Sequence, residues 1–295
     1  MRILAWLVVL AALVAFLWFN QVGVPGFVKR PVLAELQARG FNLEFQRLRW
    51  QWFRGLVAEG ISVAKSGGTS GPHFTAAEAE VQLDHEALRQ FQFLVTGVAL
   101  KQGELSWTLV PTNLPPRTLT VTNLSTALRF LPGDVWELPQ LTATVQGIQM
   151  KVSAVVTNAT ALRKRPTKKE EPTTPGARPP KPGAEEILHR VLTELARVQF
   201  AAPPEIELVL RADARLERGL QADLKVKALD VRTPWGGGRN ASFTARILQP
   251  PGTNGAASAD FRLEADRLRT TNFNASAERL LLTARLNRQS ARTND

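Results

Sequence analysis

EGISV (residues 59–63), TGVAL (96–100) and QGIQM (146–150) are three versions of one short pattern. Each time a polar residue and a glycine lead into apolar residues spaced by two. Alternation at period two marks a half-buried strand, and Gly supplies the positive φ that a tight hairpin turn requires. The three stretches therefore predict turns that open successive strands of antiparallel hairpins.

The same alternation runs outward from these turns, from Phe41 to Asn158. Phe41, Leu43 and Phe45 share one parity and Leu48, Trp50 and Trp52 the other, which places a bulge or turn near Gln46–Arg47. Ile61 and Val63 follow Glu59–Gly60. Val81 and Leu83 close the strand FTAAEAEVQLD, and a helical turn fits His85–Phe91. Val98 and Leu100 lead through Gln102–Gly103, a further expected turn, to Leu105, Trp107 and Leu109. Leu141, Ala143 and Val145 switch at Gln146–Gly147 to Ile148, Met150 and Val152. Strands resume at Ile206, Leu208 and Leu210, then at Leu224 and Val226, Phe243 to Ile247, and Leu280 to Leu286. TPWGGGRN (233–240) has no following helix and no lysine–serine pair, so it reads as a hairpin loop rather than a phosphate cradle.

Two helices interrupt the strands. Pro31, Val32, Leu33 and Leu36, closed by Gly40, predict a short helix that is either a packed linker or a cap on the sheet that follows. AEEILHRVLTELARVQF (184–200) carries Ile187, Leu188, Val191, Leu192 and Leu195 on one stripe, with Glu185 and Glu186 at the dipole-favoured start. His189 reads as a helix-surface residue. Between the strand regions lies RKRPTKKEEPTTPGARPPKPG (163–183), with seven Lys/Arg against two Glu and almost no apolar residue. Such a segment cannot offset its ordering entropy and reads as a disordered linker.

Charge follows the same division. The 295-residue chain has a formal net charge of +11, and nearly half of it sits in that linker without interleaved aromatics, which argues against a nucleic-acid partner. With no cysteine, disulfides and thiolate metal sites are excluded. At the N-terminus ILAWLVVLAALVAFLWF (3–19) is unbroken and apolar, about 25 Å as a helix and at the short end of a membrane span. Trp18 suits an interfacial anchor, and NQVGVPG offers no good cleavage site, so the run reads as an uncleaved anchor. Arg2 on one side and Lys29, Arg30 and Arg39 on the other leave orientation undecided by charge. The expected divisions are 1–22 anchor, 23–162 β region with its short capping helix, 163–183 linker, and 184–295 helix followed by strands.

Nothing in the chain points to catalysis or a cofactor. His73, His85 and His189 are scattered, there is no paired-histidine metal spacing and no G-x-S-x-G, and Glu78 and Glu80 share what reads as a solvated strand face. The expectation is a non-enzyme without metal or cofactor.

The order of elements resembles the N-terminal region of AsmA-like proteins, bacterial envelope relatives of TamB and of chorein-type bridge-like lipid transfer proteins. It is carried over residues 1–158 by the anchor, the short helix VLAELQARG, the strands FNLEFQRLRWQWFRGLVAEGISV, and FTAAEAEVQLDHEALRQF leading into VTGVALKQGELSW. The resemblance implies a mostly β protein: an N-terminal transmembrane helix, then an extended, curved antiparallel sheet forming a groove, with one short and one longer amphipathic helix. It implies an inner-membrane protein, single-pass, with its C-terminal part in the periplasm, that carries or shields lipid acyl chains in outer-envelope maintenance. From the residues alone, a closed sandwich serving as a membrane-tethered scaffold for envelope proteins stands equally open. Period-two spacing and too little helix to cover the strands give the expected groove lining: Phe45, Ile61, Val63, Leu83, Leu100, Leu105, Trp107 and Met150.

Overall fold

The computed structural model describes residues 41–51, 54–65, 71–90, 92, 94–110, 115–163, 184–216, 219–249, 257–271 and 275–288. The anchor at 1–22, the capping helix before Gly40 and the linker 163–183, apart from its first residue, lie outside them. Among the described residues no helix is long and apolar enough to cross a membrane.

The protein is mostly β and divides into two units. The first holds β1 (Phe41–Gln51), β2 (Gly55–Lys65), β3 (His73–Leu83), helix α1 (His85–Arg89) and β4 (Val95–Leu109) up to Thr108. Its last piece is residues 120–130 of β5 (Arg117–Leu131). These strands neighbour one another in chain order. Asp84 caps α1, its Oδ1 accepting from the Glu86 and Ala87 amides at 2.8 and 3.0 Å, as an aspartate before a helix favours.

The second unit holds β6 (Val135–Val145), β7 (Ile148–Thr157), the turn α2 (Thr160–Arg163) and helix α3 (Ala184–Leu195). It continues with β8 (Gln199–Phe200), β9 (Glu205–Asp213), β10 (Leu220–Thr233), β11 (Gly236–Leu248), β12 (Ala257–Thr270) and β13 (Ser276–Arg288). Its strand order is β6-β7-β9-β10-β11-β12-β13, with β8 on β10. Pairing is antiparallel except between β7 and β9, which run parallel. A parallel neighbour needs a long crossover, and the chain between Thr157 and Glu205, with α3 in it, supplies one. The antiparallel sheet expected from the sequence thus carries one parallel step, between β7 and β9.

Of the three glycine turns, one is a hairpin. Gln146 (φ 50°) and Gly147 (φ 82°) form a two-residue turn with Val145 paired to Ile148; two positive φ angles match strand twist. Gly60 lies inside β2, while Gly97 and the Gln102–Gly103 pair lie inside β4, so those expected turns are corrected. Their parity switches arise within continuous strands. Phe45 pairs Ile61 and Arg47 pairs Glu59, which leaves one residue on each strand between the pairs, Gln46 and Gly60. The skipped row continues through Ala77 and Gln102. Gly60 (φ 61°) and Gln102 (φ 51°) are left-handed, and at this row each strand exchanges its faces. The apolar side thereby stays continuous: a Cβ on Gly103 would lie 3.1 Å from Leu100 Cδ2, three residues away.

The second unit repeats the device. The ladders of β10–β13 skip Leu229, Asn240, Asp266 and Arg279. Asn240 (φ 50°) and Arg279 (φ 53°) are the left-handed members, again on every second strand.

Two further corrections concern polar residues. His189 is buried, not on the helix surface, and donates from Nε2 to the Pro115 carbonyl at 2.8 Å. Glu80 is buried rather than solvated, held by Arg54 at 2.7 Å and by Gln82 Nε2 at 3.2 Å.

Candidate functional site

Register assembles the apolar side chains into rows. In the second unit Ala143, Met150, Ile206, Val226, Phe243, Leu263 and Leu282 stand abreast across seven strands. The next row on that parity is Leu141, Val152, Leu208, Leu224, Ala245, Phe261 and Ala284. A third is Leu138, Ala154, Leu210, Ala222, Ile247, Ala259 and Leu286. No polar residue interrupts the three rows. With strands about 4.8 Å apart and rows two residues apart, they span roughly 30 Å by 14 Å. Most of these side chains are half-buried; Leu282 and Leu286 on β13 are 53% and 63% exposed. Phe243 and Phe261 stack across β11 and β12 with centroids 6.3 Å apart. The deepest side chains of the rows are the alanines Ala143 and Ala245. A contiguous block of partly exposed large apolar side chains marks an interaction surface.

The intervening positions form the charged face. Asp223, Arg246, Asp260 and Arg285 lie abreast on β10–β13, with Arg246 Nε to Asp223 at 2.6 Å and Arg285 Nε to Asp260 at 2.5 Å. The hydrogen bond from Arg246 holds the Asp223 carboxyl below its usual range. A cavity of about 790 Å³ opens against β9–β13; its charged lining, including Lys225 and Arg262, comes from this parity, and Leu224, Ala245, Phe261 and Ala284 of the second apolar row line it as well. The two ion pairs satisfy Asp223, Arg246, Asp260 and Arg285 mutually. Among the described residues no group of three or more His, Asp or Glu converges to hold a metal.

In the first unit, Leu43, Val63, Phe74 and Leu105 form one apolar row and Phe45, Ile61, Ala76 and Gly103 the next. Beyond the skipped row of Gln46, Gly60, Ala77 and Gln102, the kink row, come Leu48, Ala58, Ala79 and Leu100, then Trp50, Leu56, Val81 and Val98. Of the expected lining, Phe45, Ile61, Val63, Leu100 and Leu105 thus fall in adjacent rows. Trp107 lies two residues beyond Leu105 on β4, and Leu83 pairs Val95 beside a register shift. Met150 belongs to the second unit, in its first apolar row and away from the cavity lining.

Opposite the apolar rows, Arg54 bonds Glu78 and reaches Glu80 at 2.7 Å, and Lys101 meets Glu78 at 3.0 Å. Burial pushes the Glu78 carboxyl up, but the bonds from Lys101 and Arg54 outweigh it and hold its pKa below the ordinary value.

Sequence reasoning missed most of the second unit's face. It also passed over β12, although Phe261, Leu263 and Ala265 alternate with Arg262 and Glu264 in plain view.

Comparison of the chain with protein-family models, with curated proteins and with solved structures returns no match.

Proposed function

We propose that this protein binds or shields lipid acyl chains on its apolar sheet faces and has no catalytic role. In this reading residues 1–22 anchor it in the inner membrane, the remainder is periplasmic, and the task is outer-envelope maintenance or lipid transport. The observation that carries the reading is the block of three uninterrupted apolar rows, half-exposed across seven strands. Full burial of a large apolar side chain is worth roughly 1.5–3 kcal/mol; covering what remains exposed of each contributes a fraction of that, summed over the rows, and acyl chains match a surface that asks for area rather than hydrogen bonds. The groove geometry and the AsmA-like assignment rest on the resemblance in element order.

A photo-crosslinking amino acid at Val63, Leu100, Leu105 or Met150 is expected to capture lipid in membrane-extracted protein. The same group at Ser62, Ala99 or Glu104 is expected not to. Folded protein without lipid adduct at any position, or equal labelling of both parities, overturns the reading. A scaffold without lipid cargo would then remain, favoured by the end strands β1 and β13, each with one described neighbour.

A further inference from the structure

The two end strands match each other. In β1–β4 and in β10–β13 the kink row has the same layout, with left-handed residues on β2 and β4 and on β11 and β13. The row beside it carries Arg47, Glu59, Glu78 and Lys101 in the first unit. In the second it carries Asp230, Arg239, Arg267 and Glu278. The signs read plus, minus, minus, plus in one and the reverse in the other. Three of the four opposite-charge neighbours are ion pairs, Lys101 to Glu78 at 3.0 Å, Arg239 to Asp230 at 3.6 Å and Arg267 to Glu278 at 2.6 Å, while Glu59 is held by Arg49 at 3.3 Å.

We propose that β13 of one copy pairs antiparallel with β1 of a second copy, with the kink rows in register. Arg279 then lies opposite Gln46 of the second copy, and Glu278 opposite its Arg47. Ala277 meets its Leu48, and Leu282 its Leu43. On the apolar parity each residue faces an apolar one, Leu280 meeting Phe45 as well, and the seam joins opposite charges; the mismatch in the register is Leu281 opposite Glu44. The left-handed positions also keep their alternation, since β13 has one, β1 has none and β2 has one. Two-fold pairing fails the same test. With kink rows aligned, β13 on β13 sets Glu278 against Leu280 and Arg279 against Arg279, and β1 on β1 sets Arg47 against Phe45. The match is therefore head-to-tail, a heterologous contact that extends from copy to copy, and it prolongs the apolar face whether or not lipid is its cargo.

The chain has no cysteine, so disulfide trapping is clean. Full-length protein carrying Arg47→Cys is mixed with full-length protein carrying Glu278→Cys under mild oxidation in detergent. Disulfide-linked dimers are expected from the mixture and from neither protein alone, and the double variant in one chain is expected to give a ladder of multimers. Glu278→Arg is expected to abolish association of otherwise native chains, and Arg47→Glu in the same chain to restore it. Dimers from either single variant alone, or no product from the mixture of folded proteins, overturn the proposal.

Discussion

Gly55 and Gly236 occupy equivalent places in two hairpins. Each opens the second strand of its pair, Gly55 opposite Gln51 and Gly236 opposite Thr233. A Cβ on Gly55 would collide with the Val81 carbonyl oxygen on β3, and one on Gly236 with the Arg269 carbonyl oxygen on β12. In both units a third strand closes tightly over the hairpin end, and only glycine leaves room for it.

Gly55→Ala and Gly236→Ala are therefore expected to cost about 1–3 kcal/mol each, the range for overpacking a tight site. Gly133 has positive φ but open space around it, so Gly133→Ala should cost less, about 1 kcal/mol. Urea midpoints of the three variants check the order.

Removing Arg54 leaves the buried Glu80 carboxylate with the hydrogen bond from Gln82 Nε2. Arg54→Ala is expected to destabilise the first unit by about 1–3 kcal/mol. The double variant Arg54→Ala, Glu80→Gln should recover part of that loss, because the stranded charge is gone. Chemical denaturation of the three proteins measures the coupling.

Acid should weaken the same cluster. The Glu78 pKa is lowered in the folded protein, so its contribution is present above the unfolded value of about 4.3 and is lost as pH falls through the lower folded value. The stability difference between the native chain and Glu78→Gln is expected to be full at pH 6–7 and to vanish at strongly acid pH. A gap that persists unchanged there would contradict the assignment.

On the second unit's apolar face, Phe243→Asp places a charge beside Phe261 in the middle of the rows. Loss of most co-purified lipid is expected, while Thr244→Asp on the charged face should leave lipid unchanged. Mass spectrometry of the extracted proteins reads both.

The sequence by itself determined the β class and the alternation of many of its strands, though not β12 or the continuity of β2 and β4. Phe243 to Ile247, Leu280 to Leu286, the helix from Ala184 and the turn at Gln146–Gly147 all stand where period and turn chemistry place them, because those signals are local. Tertiary structure alone decided what the other glycines do. EGISV and QGIQM look alike, yet Gly147 turns the chain back while Gly60 stays within a strand between Gln46 and Ala77. A positive φ is compatible with both, and only the neighbouring strands select one. The burial of His189 and Glu80 depends likewise on partners 74 and 26 residues away, Pro115 and Arg54. Register depends on those neighbours too. It turned scattered apolar pairs into seven-strand rows, and it set Glu59 beside Glu78 and Arg239 beside Arg267, because cross-strand partners are chosen by the whole sheet and not by the strand that carries them.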